Sequence, residues 1–151
     1  MIDPAAQKIL ETRAANAPSA PKAFELTLPY PVSANRYWRT VAANGRAMVF
    51  VSDEAKKFKD EVWWRARSAG LRTPFTTAVE LKITLIPKNR VCMDLDNALK
   101  VTIDALKGIA YDDDAQVYKI IAERAEPGIE ACCKVEISEF IPEPPPLFAA
   151  A

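Results

Sequence analysis

The stretch DLDNALKVTIDALKGIAYDDDAQ, residues 94–116, decides what this chain can be. Its six acidic residues are Asp94, Asp96, Asp104, Asp112, Asp113 and Asp114. They face only two basic residues, in a chain whose formal net charge is zero. Carboxylates this close in sequence repel one another, so either open water or bound cations must offset the repulsion.

A helix is predicted in the first half of this stretch, from about Leu95 to Lys107, with Gly108 ending it. Asp96, Lys100 and Asp104 are spaced four apart and share one face of that helix. The opposite face is expected to point inward. Its residues are Leu95, Leu99, Thr102 and Leu106.

The rest of the chain predicts further strands and one more main helix, which is typical of an α+β fold in a single domain. The sequence Asn44-Gly45 predicts a hairpin turn, and Ser52 is a typical cap for a second helix. That helix should bury Ala55, Phe58, Val62, Ala66 and Ala69 before Gly70. The predicted strands are Phe24–Leu28, Tyr37–Val41, Ala47–Val51, Ala78–Ile86, Ala115–Ala125 and Ile129–Ile137.

Domain limits follow from the prolines and the apolar pattern. Residues 1–22 are expected to be a flexible N-terminal extension, residues 23–141 the folded domain, and residues 142–151 a disordered proline-rich tail. No apolar run approaches the roughly 20 residues that span a bilayer. The N-terminus has no secretory signal, so a cytoplasmic location is expected.

The absence of histidine narrows the chemistry, because it removes the commonest general base and transition-metal ligand. The three cysteines, Cys92, Cys132 and Cys133, lack metal-ligand spacing and are interpreted as reduced thiols. Catalysis would have to use carboxylates, lysine, hydroxyls or a hard cation bound by oxygen.

A cation site is the sharper interpretation of the acidic residues. If the loop 109–114 returns the chain towards the start of the helix, Asp94, Asp96 and Asp114 could converge and hold Mg²⁺ for phosphodiester chemistry. Lys100 would then point at the same site. Each residue also has an ordinary explanation: Asp94 as a helix cap, Asp96 as a helix-dipole partner, residues 112–114 as a solvated turn, and Lys100 as a salt-bridge partner.

A basic segment balances the acidic one. Residues 33–72 carry nine Lys or Arg and four Asp or Glu. Within it, Asn35, Arg36 and Arg39 lie among aromatic residues, a combination that suits phosphates and unstacked bases. The ordinary alternative is a loop whose aromatic residues cover the core.

In combination these motifs resemble the RusA family of Holliday junction resolvases, small endonucleases of bacteria and phages. The resemblance is carried by PYPVSANRYWR at 29–39, VSDEAKKFK at 51–59, DLDNALKVTIDAL at 94–106 and DDAQV at 113–117. It implies a single domain whose mixed β-sheet is flanked by two main helices. It also implies a magnesium-dependent homodimer, with Mn²⁺ as a substitute metal, that cuts four-way DNA junctions symmetrically and leaves 5′-phosphates.

The resemblance also implies roles for individual residues. Asp94, Asp96 and Asp114 would be the metal ligands and Lys100 the essential lysine. Asp113 would be a further acid at the metal. Asn35 and Arg36 would border the active site.

The family's arginine run before the first aspartate is reduced here to Lys88 and Arg90 within KNRVCM, residues 88–93. These two residues and Arg39 remain candidates for DNA binding. Fewer charges there should flatten the salt dependence of binding.

Two other functions fit the same residues. One is a non-catalytic protein that binds branched DNA and keeps the acidic residues for cation-stabilised folding. The other is an interaction module whose acidic face binds a basic partner protein.

Overall fold

The computed structural model describes residues 22–144, and its elements follow the predicted α+β pattern closely. The strands are β1 (Ala23–Pro29), β2 (Trp38–Ala43), β3 (Arg46–Val51), β4 (Val79–Ile86), β5 (Val117–Arg124) and β6 (Cys132–Glu139). The helices are α1 (Ala34–Tyr37), α2 (Asp53–Ser68) and α3 (Leu95–Leu106), and a 3₁₀ turn covers Asp114–Gln116. The expected extensions lie almost entirely outside the described residues, so the domain limits stay predictions.

Four strands form one mixed sheet, in the order β1-β6-β4-β5. β4 pairs with β5 in parallel, and the other two pairings are antiparallel. Because α3 connects the two parallel strands, β4, α3 and β5 form a βαβ unit. The expected mixed sheet is therefore confirmed.

One face of the sheet is covered and the other is open. Along β4, Val79, Leu81, Ile83 and Leu85 are buried, whereas the residues between them are partly or fully exposed. Both main helices pack on the buried face and share its hydrophobic core. None of the helices within residues 22–144 is both long and apolar enough to cross a membrane.

The second helix, α2, begins as its sequence predicts. The hydroxyl of Ser52 accepts a hydrogen bond from the backbone N–H of Ala55 at 3.1 Å, and two acidic residues occupy the first turn. The buried stripe is the predicted one, with the exception of Ala69. Ala69 lies past the last helical residue, where Gly70 turns the chain with a φ of 91°, so it is exposed.

The buried face of α3 differs from the prediction. Leu95 and Leu99 are only half-buried, although Thr102 and Leu106 are buried as expected. The core-facing residues also include Ala98, Val101 and Ala105. Small side chains permit close packing against the neighbouring elements, so the two larger leucines lie at the margin of the core.

Several strand boundaries also differ from the prediction, and Tyr37, predicted to begin β2, instead ends α1. The structure shows the reason for two of these differences. β6 begins at Cys132 rather than Ile129, because its partner β4 ends at Ile86 and leaves Ile129 99% exposed. β5 begins at Val117 rather than Ala115, because the 3₁₀ turn occupies the residues before it.

A separate two-stranded sheet projects from this body. β2 and β3 form the predicted hairpin, and both turn residues, Asn44 and Gly45, have positive φ. Cross-strand partners share a face, so one face carries the uncharged pairs Trp38–Val51, Thr40–Val49 and Ala42–Ala47. Apart from the half-buried Trp38, every residue of the hairpin strands is exposed. No described element covers the outer half of either face.

Candidate active site

The acidic residues lie at two ends of α3. Asp94 is at the cap position, but its side chain makes no capping hydrogen bond. Asp96 is exposed in the first turn. Among residues 22–144, neither carboxylate has a hydrogen bond or an ion pair. The interpretation of Asp94 as a side-chain cap is therefore wrong.

The second acidic group is held by Lys107, directly after α3. Its ammonium lies 3.4 Å from an oxygen of Asp114 and 3.7 Å from an oxygen of Asp113. Hydrogen bonding to Asp114 is the main cause that raises the pKa of Lys107. The hydrogen bond from the backbone N–H of Ala115 is the largest cause that lowers the pKa of Asp113, and Asp114 and Lys107 add to it.

Gln116 fixes the loop that carries these carboxylates. Its side-chain amide donates to the carbonyls of Phe75 at 2.8 Å and Thr77 at 3.0 Å. The oxygen of the same amide accepts from the backbone N–H groups of Asp112 and Asp113. One side chain therefore ties the acidic loop to the segment before β4.

Tyr111 fixes the same loop from the other side. Its buried hydroxyl donates to the carbonyl of Ile103 at 2.7 Å and so fastens the loop to α3. Burial raises the pKa of this hydroxyl, which therefore stays a donor. The loop that carries Asp114 is thus fastened both to α3 and to the segment before β4.

A cavity of about 210 Å³ joins Asp114 to Lys100. Its lining consists of Trp38, Lys100, Ile103, Asp104 and Asp114. Asp96 precedes Lys100 by four residues, or about 6 Å along the helix axis. The loop therefore returns Asp114 to the middle and end of α3, about one turn beyond Asp96.

The three expected metal ligands do not form a ready-made cluster within one chain. In residues 22–144, no three Asp, Glu or Cys side chains are close enough to hold one ion. The oxygen-only donors still suit a hard cation such as Mg²⁺. Convergence of Asp94, Asp96 and Asp114 on a metal, with Asp113 nearby, stays a prediction.

Lys100 does not make the ordinary helix salt bridge. Among the described residues it has no ion pair, and its ammonium lies 5.0 Å from the centre of the Trp38 ring. Asp104, the alternative partner, accepts a hydrogen bond from the Tyr37 hydroxyl at 2.5 Å. Tyr37 and Trp38 were not identified as site residues from sequence, because their partners lie more than sixty residues away.

Two of the basic candidates lie beside the N-terminal end of α3. Arg36 and Lys88 line one cavity of about 400 Å³, together with Met93, which directly precedes Asp94. Arg36 also pairs with Glu54 at 3.4 Å, with side chains that are 71% and 46% exposed. The structure thus brings two of the five DNA-binding candidates to a common surface.

The other three candidates are exposed but lie apart from that cavity. Arg90 lines a neighbouring cavity of about 330 Å³ and lies 3.9 Å from Glu126. Asn35 is on α1, and Arg39 is on the face of the hairpin opposite Trp38. Arg124 was not predicted as a site residue. Its guanidinium donates to the carbonyl of Met93 at 2.6 Å and so supports the loop before Asp94.

Comparison with known proteins agrees with the motifs. The family model of Endodeoxyribonuclease RusA matches residues 29–138. The protein named crossover junction endodeoxyribonuclease RusA from Escherichia coli (strain K12) is 35% identical over 101 residues, covering 65% of this chain and 81% of the relative. Those from Shigella sonnei (strain Ss046) and Enterobacteria phage 82 are 34% and 33% identical, with the same coverage. Since the family match spans most of the chain, from Pro29 at the end of β1 into β6, this protein belongs to the RusA family of endodeoxyribonucleases.

Proposed function

We propose that this protein is a magnesium-dependent, structure-selective endonuclease that resolves Holliday junctions in DNA recombination and repair. It would hydrolyse two phosphodiester bonds symmetrically and leave 5′-phosphates and 3′-hydroxyls. The observation that carries the proposal is the cavity shared by Lys100 and Asp114, one helical turn from Asp96, in a chain of the RusA family. We place this activity in the cytoplasm.

Asp94, Asp96 and Asp114 would hold Mg²⁺ or the substitute Mn²⁺, with Asp113 as an additional ligand. When bound, the metal supplies an activated water and stabilises the leaving oxygen. The exposure of Asp94 and Asp96 supports this role, because no described side chain has to be displaced from them. Lys100, without an ion pair among the described residues, stabilises the negative charge that develops on the phosphate.

The surface around Arg36 and Lys88 would bind the arms of the junction. Asn35, Arg39 and Arg90 would extend it. The ion pairs that Arg36 and Arg90 make with glutamates are exposed, and such pairs contribute little to stability. Phosphates can therefore replace the glutamates at small cost.

A homodimer would place two active sites on one junction, which needs two opposed cuts. The hairpin face that carries Trp38, Thr40 and Val49 supports this assembly, because it is uncharged and can meet its own copy without like charges. A two-stranded hairpin with both faces in water is also only marginally stable by itself.

Sedimentation velocity tests the dimer directly. The wild type should sediment as a dimer, and Val49→Asp, at a site 64% exposed in one chain, should shift it to a monomer. A wild type that stays monomeric at all concentrations would contradict the dimer.

The proposal as a whole is tested with a synthetic four-way junction. In EDTA the protein should bind the junction in preference to linear duplex of the same sequence. Addition of Mg²⁺ should then start cleavage and produce paired, symmetric nicks. Binding without cleavage in Mg²⁺ or Mn²⁺ would favour the non-catalytic protein. If junction and duplex bind equally weakly and Mg²⁺ leaves the melting temperature unchanged, the interaction module would be favoured.

A further inference from the structure

Two adjacent aromatic residues contact α3 at consecutive turns. Tyr37 ends α1 and Trp38 begins β2, and their rings are 4.6 Å apart at an angle of 63°. Tyr37 bonds to Asp104, and Trp38 lies against Lys100, which is one turn earlier on α3. The root of the hairpin is therefore attached to the lysine-bearing face of the helix.

The hydrogen bond between Tyr37 and Asp104 is protected from solvent on the tyrosine side. The side chain is only 1% exposed, and the backbone carbonyl of Tyr37 accepts a hydrogen bond from the N–H of Ser52 at 2.8 Å. Burial, and then the hydrogen bond to Asp104, raise the pKa of the hydroxyl. The hydroxyl therefore keeps its proton and donates to Asp104, and this hydrogen bond fixes the neighbouring Trp38 relative to α3.

The Trp38 contact limits where the Lys100 ammonium can go. A lysine on a helix surface has a flexible four-carbon chain and many rotamers. The face of an indole attracts a cation by its ring quadrupole, and Trp is the strongest aromatic partner. Here the ring also lines the cavity that Asp114 borders. The ammonium is thus held over the indole, at the cavity that Asp114 also lines.

Two carboxylates near this lysine already have partners, and among the described residues Asp96, one turn earlier on the same face, makes no ion pair with it. Asp104, four residues later on the same face, already accepts the Tyr37 hydroxyl. Asp114 is paired with Lys107. Tyr37 therefore occupies the carboxylate of Asp104, whereas Trp38 contacts the ammonium of Lys100.

We propose that Trp38 is a positioning residue for Lys100 and that Tyr37 supports it through Asp104. The inference rests on the proposed function, because Lys100 must act on the phosphodiester for its position to affect the rate. Trp38 itself need not touch the reacting atoms.

The kinetic test uses Trp38→Leu, with Trp38→Phe as the conservative control. Trp38→Leu should lower the single-turnover cleavage rate about tenfold and change the Kd for the junction less than twofold. Trp38→Phe should remain within about threefold of the wild type, because the aromatic face is kept. Melting temperatures of both variants report on folding.

A double-mutant cycle separates positioning from a structural role. In a Lys100→Met background, Trp38→Leu should cause no further loss of rate, because the residue through which it acts is gone. Equal losses in both backgrounds would overturn the proposal, and so would a Trp38→Leu variant that cleaves at the wild-type rate.

An NMR measurement decides the contact independently of activity. In the wild-type protein the ε-methylene protons of Lys100 should be shifted upfield by the Trp38 ring current, with Lys100→Met providing the assignment. Ordinary random-coil shifts would overturn the inference even if the enzyme is active. If no junction is cleaved, the proposed function fails, and the upfield shift still shows whether Trp38 holds Lys100.

Discussion

The two ends of α3 carry acidic residues that the protein treats differently. At the N-terminal end, Asp94 and Asp96 have no side-chain partner among the described residues, and the helix dipole is their nearest compensation. At the C-terminal end, Lys107 holds Asp113 and Asp114. The fold itself therefore offsets one half of the acidic stretch and leaves the other half available to a cation.

The largest expected effect is at the N-terminal end. If Asp96 is a metal ligand as proposed, Asp96→Asn should lower magnesium-dependent junction cleavage by a factor on the order of a thousand or more. Junction binding and the melting temperature should stay nearly unchanged, because the carboxylate has no hydrogen bond or ion pair among residues 22–144. Cleavage gels and thermal melts measure the two properties.

Asp112→Asn is the matched control for that change. It removes an equal charge from an exposed position whose side chain has no hydrogen bond or ion pair among residues 22–144. It should cleave at close to the wild-type rate. If both variants lose activity equally, general charge rather than a ligand site would be responsible, and the distinction between the two ends would fail.

A smaller effect is expected when the acidic residues at the C-terminal end of α3 lose their lysine partner. Lys107→Met releases Asp113 and Asp114, so Mg²⁺ no longer competes with an ammonium. The Mg²⁺ concentration for half-maximal cleavage should fall about two- to fivefold, in line with the strength of exposed ion pairs. A magnesium titration of the cleavage rate measures it.

Lys119→Met is the control for the lysine change, since it breaks a similar pair with Glu80, at 3.3 Å, on the open face of the sheet. It should leave the magnesium requirement as it is. A Lys107→Met variant with a wild-type requirement would show that Asp114 is not a ligand or that its pairing is irrelevant to binding.

The smallest effect concerns pH. The folded protein lowers the pKa of Asp113, so its carboxylate stabilises the fold above the ordinary aspartate pKa of about 4. This contribution disappears as the pH falls through the folded value. Between pH 6 and pH 3 the melting temperature of the wild type should drop by about 1 °C more than that of Asp113→Asn. Identical pH profiles would argue against the lowered pKa.

The elements with local signals were predicted well from sequence. The hairpin follows from Asn44-Gly45, α2 from the Ser52 cap, and β4 from strict alternation. Each signal depends on neighbouring residues only. The buried face of α3 was predicted less well, because it depends on which side chains fit against distant elements, and hydrophobicity alone favoured Leu95 and Leu99 over Ala98.

For the site, the sequence predicted the residue types, and the structure supplied the contacts. Carboxylates, a lysine and no histidine point to a hard cation wherever the chain places them. The Tyr37–Asp104 and Trp38–Lys100 contacts bridge more than sixty residues and leave no periodic pattern. Gln116 lies inside the DDAQV motif, but the motif does not reveal what its amide does. Only the four hydrogen bonds in the structure show that the amide orders the acidic loop.

The order of strands in the mixed sheet has a consequence for synthesis of the chain. The unit formed by β4, α3 and β5 is contiguous, so the acidic residues and Lys100 can reach their places early, with short loop closures. β1 pairs with β6 across more than one hundred residues and must wait until nearly the whole domain has been translated. Until β6 is made, one edge of β4 is unpaired, which makes the nascent chain prone to aggregation even when the acidic segment has already folded.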